Sequence, residues 1–80
     1  MKRVIDVDME IRCKKATTAI NRFFKKYPEL DYWKETFENM AKNGIRFYRE
    51  ENGTENWAWA LHFDFDEQFG WAYIAVIERA

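Results

Sequence analysis

The residues best suited to chemistry are His62, Asp64 and Asp66, which occupy alternate positions in one stretch of the chain. On a β-strand such residues share a face at a spacing of about 7 Å. Imidazole and carboxylate groups are ligands for divalent metals, but a site needs further ligands, and none is visible in the sequence. We therefore favour the solvated end of a strand over a metal or catalytic site for these three residues.

Other catalytic signatures are missing from the sequence. Serine does not occur, and the chain has one histidine and one cysteine. There is no phosphate-binding glycine loop, dinucleotide turn or paired-cysteine motif. Cys13 falls at an inward position of its stretch, as expected of a buried small hydrophobe. We therefore predict a non-catalytic protein without metal or cofactor.

Length and composition indicate one small domain spanning residues 1–80. Its four Trp, four Tyr and seven Phe supply the large apolar area that a short chain needs for a core. The single cysteine rules out an internal disulfide and suits a reducing compartment. No apolar run approaches the roughly 18 residues of a membrane span. We expect a cytoplasmic protein without membrane attachment.

The stretch 55–78 organises the rest of the chain. Every second residue is apolar from Trp57 to Phe65 and again from Phe69 to Ile77, which is the period of strands with one buried face. A loop of residues 66–68 pairs Phe65 with Phe69 and places all ten apolar residues on one side. This hairpin predicts that the aromatic side is the core.

The preceding residues predict the other elements. Residues 4–12 alternate between apolar and charged, which favours a strand, because a competing helix would leave Val7 and Ile11 on the charged side. Two amphipathic helices follow, separated by Pro28 and ended by Gly44. Residues 45–50 form a strand, and a three-residue loop after it sets Phe47 against Trp57.

The predicted fold is α+β, with two helices packed on one face of a mostly antiparallel four-stranded sheet. The element order is β-α-α-β-β-β, and an α-α-β-β-β arrangement is the fallback if residues 4–12 do not join the sheet. No repeat or linker divides the chain.

The face of the sheet away from the helices is the predicted binding surface. It carries small and β-branched apolar residues framed by acids, which suits docking of a protein partner or of a second copy in a homodimer. The predicted partner-binding residues are Tyr48, Ala58, Ala60, His62, Asp64, Ala72, Ile74 and Val76.

Charge is distributed unevenly and supports an alternative function. Residues 1–27 carry eight Lys and Arg against three acids (8 − 3 = +5), and the remainder carries five against eleven (5 − 11 = −6). Basic residues on the first helix could follow a nucleic-acid backbone. The candidate nucleic-acid-binding residues are Lys14, Lys15, Arg22, Lys25 and Lys26.

Carboxylates also cluster at both ends of the predicted sheet. One cluster is Glu50, Glu51 and Glu55, and the other is Asp64, Asp66 and Glu67. Acidic tips on a rigid sheet could occupy a basic nucleic-acid channel of another protein, as phage anti-CRISPR proteins do. That parallel is an analogy of size and charge placement. We expect a protein-interaction module, in one version an inhibitor of a nucleic-acid-handling complex.

Overall fold

A computed structural model describes residues 4–50 and 57–79, which form four strands, two α-helices and one 3-10 helix. The order β-α-α-β-β-β is confirmed, and the first strand has the predicted bounds. The elements are β1 (Val4–Arg12), α1 (Ala16–Lys26), the 3-10 helix (Pro28–Trp33), α2 (Lys34–Asn43), β2 (Phe47–Arg49), β3 (Trp59–Asp66) and β4 (Trp71–Arg79).

The strands form one antiparallel sheet in the order β1-β4-β3-β2. β1 pairs with β4 over its full length, from Val4 opposite Arg79 to Arg12 opposite Trp71. The first strand therefore joins the sheet, and the fallback arrangement without it is wrong. β1 and β2 are the two edges of the sheet.

Sequence signals set the helix ends. Lys25 and Lys26 lie in the last turn of α1, where cations stabilise the negative end of the helix dipole. Pro28 begins the 3-10 helix, a position at which its missing N–H is not needed. Gly44 follows α2 with φ 69°, the left-handed conformation that ends many helices. No helix in the described ranges has both the length and the apolarity to cross a membrane.

The helices pack on one face of the sheet and enclose the core. Three phenylalanines, Phe23, Phe24 and Phe37, form a cluster of ring contacts with centroids 5.0 to 6.2 Å apart. They lie over a floor of sheet residues that are also buried. The floor consists of Ile11 from β1, Leu61 and Phe63 from β3, and Ala72, Ile74 and Val76 from β4.

The 3-10 helix is attached to the end of β4 through one carboxylate. Tyr32 Oη donates to both oxygens of Glu78, at 2.6 and 2.8 Å, and Trp33 Nε1 donates to Glu78 Oε1 at 2.7 Å. The indole of Trp33 also packs on Trp59, with ring centroids 4.9 Å apart. These contacts fix the segment between the two α-helices against β3 and β4.

The predicted β3–β4 register is wrong, and the error reverses the faces of β4. Phe63 lies opposite Ile74 instead of Trp71, because the loop has four residues, 67–70, instead of three. A shift by an odd number of residues exchanges the two faces of a strand. The helix side of β4 thus carries small and branched residues, which fit beneath the three phenylalanines. Trp71 and Tyr73 lie on the opposite side.

The predicted β2–β3 register is also wrong. Phe47 pairs with His62 instead of Trp57, and Tyr48 pairs with Leu61. The turn predicted at residues 51–53 lies outside the described residues. Because Leu61 belongs to the core side, Tyr48 lies on the helix side and Phe47 lies on the other.

Candidate interaction surface

No helix of the described chain covers the second face of the sheet, which we call the open face. The helices bury the opposite face, as the core shows. The strand registers assign to the open face Asp6, Asp8, Glu10 and Arg12 from β1, Trp71, Tyr73, Ala75 and Ile77 from β4, Ala60, His62, Asp64 and Asp66 from β3, and Phe47 and Arg49 from β2.

Aromatic rings form a row across three strands of the open face. His62 packs edge to face against Tyr73 of β4, with centroids 5.3 Å apart, and against Phe47 of β2, with centroids 6.4 Å apart. Phe47 remains 55% exposed. Aromatic side chains with ordered neighbours lose little entropy when they are covered, so this row is well suited to contact another surface.

The centre of the open face has high and low points. Ala60 and Ala75, which have short side chains, are only 4% and 7% exposed. Ile77 lies beside Ala60 and His62 lies beside Ala75 in the β3–β4 register. The large residue is on β4 in one row and on β3 in the next. The relief therefore alternates across the midline of the sheet.

One edge of the open face is acidic. Asp6, Asp8 and Glu10 follow one another on β1, and all three are exposed. Within the described residues none of them forms an ion pair, since the salt bridge found there joins Arg46 Nε to Asp64 Oδ1 at 3.8 Å. That salt bridge lies at the other edge, near the exposed Arg49. The open face thus has three carboxylates along β1, followed by the exposed Arg12 at the end of that strand, and guanidinium groups beside β2.

Tyr73 links the aromatic row to this acidic edge. Its hydroxyl donates to Asp8 Oδ2 at 3.0 Å. The hydrogen bond to Asp8 raises the pKa of Tyr73, and burial and the negative charges of Asp8, Asp6 and Glu10 raise it further. Each of these effects disfavours the phenolate. Tyr73 therefore presents a neutral ring with a fixed orientation.

The structure separates the predicted partner-binding residues into two groups. Ala60, His62 and Asp64 lie on the open face, and the exposed Ala58 directly precedes β3. The other four predicted residues face the helices, so the prediction is wrong for them. They are Tyr48, which contacts Trp59, and the buried Ala72, Ile74 and Val76.

Sequence reasoning missed the aromatic part of the open face, namely Phe47, Trp71, Tyr73 and Ile77. The signal that could have revealed it is Gly70, which has φ 67° at the end of the β3–β4 loop. Glycine is favoured at such a left-handed position, so it marks a loop residue. Placing Phe69 and Gly70 in the loop and Asp66 at the end of β3 gives the four-residue connection and the observed faces of β4.

The trio considered for metal chemistry has separate partners. His62 lies between aromatic rings, Asp64 faces Arg46, and Asp66 Oδ1 accepts a hydrogen bond from Phe69 N at 3.1 Å within the loop. Among the described residues no group of three or more His, Cys, Asp or Glu side chains is arranged to hold a metal ion.

The candidate nucleic-acid-binding residues Lys14, Lys15, Arg22, Lys25 and Lys26 are all exposed, on α1 and just before it. Arg22 Nη1 donates to the Arg12 carbonyl oxygen at 2.7 Å, and Lys26 Nζ lies 5.5 Å from the Tyr27 ring centroid. This basic surface is therefore on the helix layer, away from the open face.

The acidic tips are only partly within the described residues. Glu50 Oε2 accepts a hydrogen bond from Ala58 N at 2.7 Å, and Asp66 is bonded within its own loop. Glu67 is exposed in that loop. Glu51 and Glu55, the other members of the first cluster, lie outside the described residues.

A groove of about 350 Å³ lies between α2 and β2 on the helix side. It is lined by Thr36, Asn39, Met40, Asn43, Ile45 and Tyr48. This lining has amide, hydroxyl and apolar groups but no carboxylate, imidazole or thiol. The hydroxyls of Thr36 and Tyr48 therefore have no carboxylate or imidazole in this lining to activate them as nucleophiles. The open face is the stronger candidate site.

Comparison of the chain with protein-family models, with curated proteins and with solved structures gave no match. The fold and the surface define an α+β domain. Its helices cover one face of the sheet, and the second face carries aromatic residues and has acidic residues along one edge.

Proposed function

We propose that this protein is a non-catalytic interaction module that binds a protein partner through the open face. The observation that supports this proposal is the aromatic row of Tyr73, His62 and Phe47 on a sheet face without a covering helix. The exposed ring of Phe47 and the half-buried rings of His62 and Tyr73, beside buried alanines, resemble the centre of a protein interface, where aromatic residues are enriched.

The edge charges favour a protein partner over nucleic acid at this face. Aromatic residues on an antiparallel sheet can also stack nucleobases, but such surfaces combine rings with cations that attract phosphate. Here the Tyr73 end of the row adjoins Asp6, Asp8 and Glu10, which repel phosphate. Cations adjoin the row at its Phe47 end, where Arg49 lies. A protein surface with apolar residues at its centre and cations opposite β1 matches both features.

The narrower hypothesis of an inhibitor that mimics nucleic acid stays a prediction. It depends on the acidic tips of the sheet, and Glu50 and Asp66 already accept hydrogen bonds from their own loops. The open face offers a larger and more varied surface, so it is the basis of the proposal.

Site-specific photo-crosslinking tests the proposal. A photoreactive residue placed at Ile77, on the open face, is expected to crosslink to one protein species in cells. The matched control places the same residue at Asn21, which is exposed on α1. Adding Phe47→Asp to the Ile77 probe should abolish the crosslink, because a carboxylate then interrupts the aromatic row. Equal crosslinking from both positions, or none from Ile77, contradicts the proposal.

A second candidate function is nucleic-acid binding by α1. The observation in its favour is that the helix, with the sequence ATTAINRFFKK, contains no acidic residue. Binding should then weaken steeply with salt, because phosphate contacts release counterions. Lys15→Glu with Arg22→Glu should abolish a mobility shift of labelled DNA or RNA, whereas Ile77→Asp should leave it unchanged. Absence of any shift at low salt removes this candidate.

A further inference from the structure

We propose that the occupant of the open face is a second copy of this chain, an inference that rests on the proposed protein-binding function. In this dimer two sheets pack face to face as a sandwich. The two-fold axis lies between the sheets, runs parallel to the strands and passes between β3 and β4. This operation places β1 over the second copy's β2, and β4 over its β3.

Charge on the two edges is the first argument. Asp6, Ile77, Ala60 and Arg49 form one row across the sheet, because Asp6 pairs with Ile77, Ile77 with Ala60, and Ala60 with Arg49. Rotation about the proposed axis keeps each row at its own height. The acidic end of this row therefore meets the basic end of the same row in the second copy. Each dimer contains this contact twice.

The relief of the surface is the second argument. The same rotation places Ile77 over the second copy's Ala60, and His62 over its Ala75. Ala60 and Ala75 are the low points of the open face, at 4% and 7% exposure. In these two central rows each large side chain thus meets a small one, so the centre of the surface is complementary to itself. The neighbouring row adds no charge pair, since Phe47 there meets Asp8, which Tyr73 already bonds.

The charges also disfavour the other symmetric arrangements. A two-fold axis across the strands would place β1 over the second copy's β1 and bring Asp6, Asp8 and Glu10 against the same acids. Antiparallel pairing of two β1 edges over their full length has the same result, because Asp6 then lies opposite Glu10 and Asp8 opposite Asp8. Arg12, which shares this face of β1, would lie opposite Val4 and meet no acid. The axis parallel to the strands therefore matches acids with arginines better than these two arrangements do.

The size of the face indicates a weak dimer. Four strands at about 4.8 Å spacing and about eight residues at 3.3 Å rise give a flat area of roughly 500 Å². Typical stable interfaces bury about 800 Å² on each partner. A corrugated surface has more accessible area than its flat projection, so this face lies near the lower end of that range. We expect dimerisation that depends on protein concentration.

Sedimentation velocity across a concentration series, with single and paired charge reversals, tests the dimer. Asp6→Lys alone places two cations together, and Arg49→Glu alone places two carboxylates together. Each is expected to weaken self-association about tenfold or more, since attraction becomes repulsion at two symmetric contacts. An equimolar mixture of the two variants should form a heterodimer, because both contacts are then oppositely charged. The double variant should dimerise again.

Controls separate this inference from the general proposal. Glu38→Lys, on the exposed surface of α2, should leave association unchanged. Circular dichroism verifies that each variant is folded, and the mixing experiment compares folded proteins only. A monomeric wild type, or a mixture that fails to associate, overturns the second copy as occupant. Crosslinking of Ile77 to a different protein would then still support the proposed function, whereas no crosslink at all would remove both.

Discussion

Ile74 and Ile77 lie three residues apart on β4 and have opposite surroundings. Ile74 is completely buried under the helices, while Ile77 lies half-buried on the open face. Removing a buried aliphatic side chain leaves a cavity that a packed core cannot close. The assignment of faces on β4 can therefore be tested by the same substitution at both sites.

Ile74→Ala should lower the free energy of unfolding by about 2–5 kcal/mol, as cavity-forming substitutions do. Ile77→Ala should lower it by about 1 kcal/mol or less, since surface positions tolerate truncation. Urea denaturation followed by circular dichroism measures both values. Both measurements are made at low protein concentration, so that dimerisation does not contribute to the difference in unfolding free energy. Equal losses, or a larger loss at Ile77, would show that the faces are exchanged.

Tyr73 has a pH dependence that can be predicted from its hydrogen bond. Its pKa in the folded state is raised from the usual 10.0, chiefly by the hydrogen bond to Asp8. The neutral phenol is thus favoured by folding. Its stabilising contribution is complete below the unfolded-state pKa and is lost as pH rises through the folded-state pKa.

Asp8→Ala should lower the pKa of Tyr73 towards its usual value, because both the acceptor and the charge are removed. Ultraviolet absorbance of the phenolate during an alkaline titration measures the change. The chain has four tyrosines, so the spectrum of the matching Tyr73→Phe protein is subtracted to isolate Tyr73. An unchanged titration in Asp8→Ala would mean that Asp8 and Tyr73 do not interact in solution.

Individual residues show which sequence patterns determine a face and which do not. On β1 the alternate residues are charged, so Ile11 and Asp8 could be assigned to opposite sides from the sequence. On β4 both alternating sets are apolar, and the set with larger rings was assigned to the core. The helices already fill the core with Phe23, Phe24 and Phe37. The set with smaller side chains fits beneath them. Side-chain volume decides this assignment, and a periodic pattern gives no information on volume.

At the scale of elements, the ends of α1 and α2 were predictable because each depends on local chemistry, whereas the 3-10 helix that precedes the start of α2 at Lys34 was not predicted. Pro28 and Gly44 act through their own backbone preferences, and both lie where the sequence placed them. Strand pairing depends on loop length, which local patterns specify less well. The β3–β4 loop is one residue longer than predicted, and β2 pairs with β3 in a register that differs from the predicted one.

Gly44→Ala measures how much the end of α2 depends on its left-handed residue. The conformation at φ 69° is strained for alanine, yet no atom lies within 4 Å of the added Cβ. The cost is therefore purely conformational, and we expect a loss of about 1 kcal/mol in unfolding free energy. Gly44→Asn should lose less, because asparagine tolerates this region. Thermal and urea denaturation of the three proteins would show this order, and equal stability of all three would contradict it.

At the scale of the whole molecule, the acids of β1 oppose the aggregation to which an edge strand is prone. β1 is a nine-residue edge strand, regular over its whole length, and its outer backbone groups have no strand partner in the described chain. Such edges can pair with other copies and lead to aggregation. Asp6, Asp8 and Glu10 oppose this pairing, because two antiparallel β1 strands would bring their carboxylates together.

Neutralising these acids should therefore make the protein aggregate. The triple variant Asp6→Asn, Asp8→Asn and Glu10→Gln keeps the size and polarity of the side chains but removes the repulsion between β1 edges. Light scattering over time should show growth beyond a dimer, with increased thioflavin fluorescence if the edges pair as strands. The control is Glu29→Gln, Glu35→Gln and Glu38→Gln, which changes net charge equally at exposed positions of the helix layer. If the control aggregates as fast, net charge keeps the molecules apart; if neither does, the β1 edge is protected by something other than its acids.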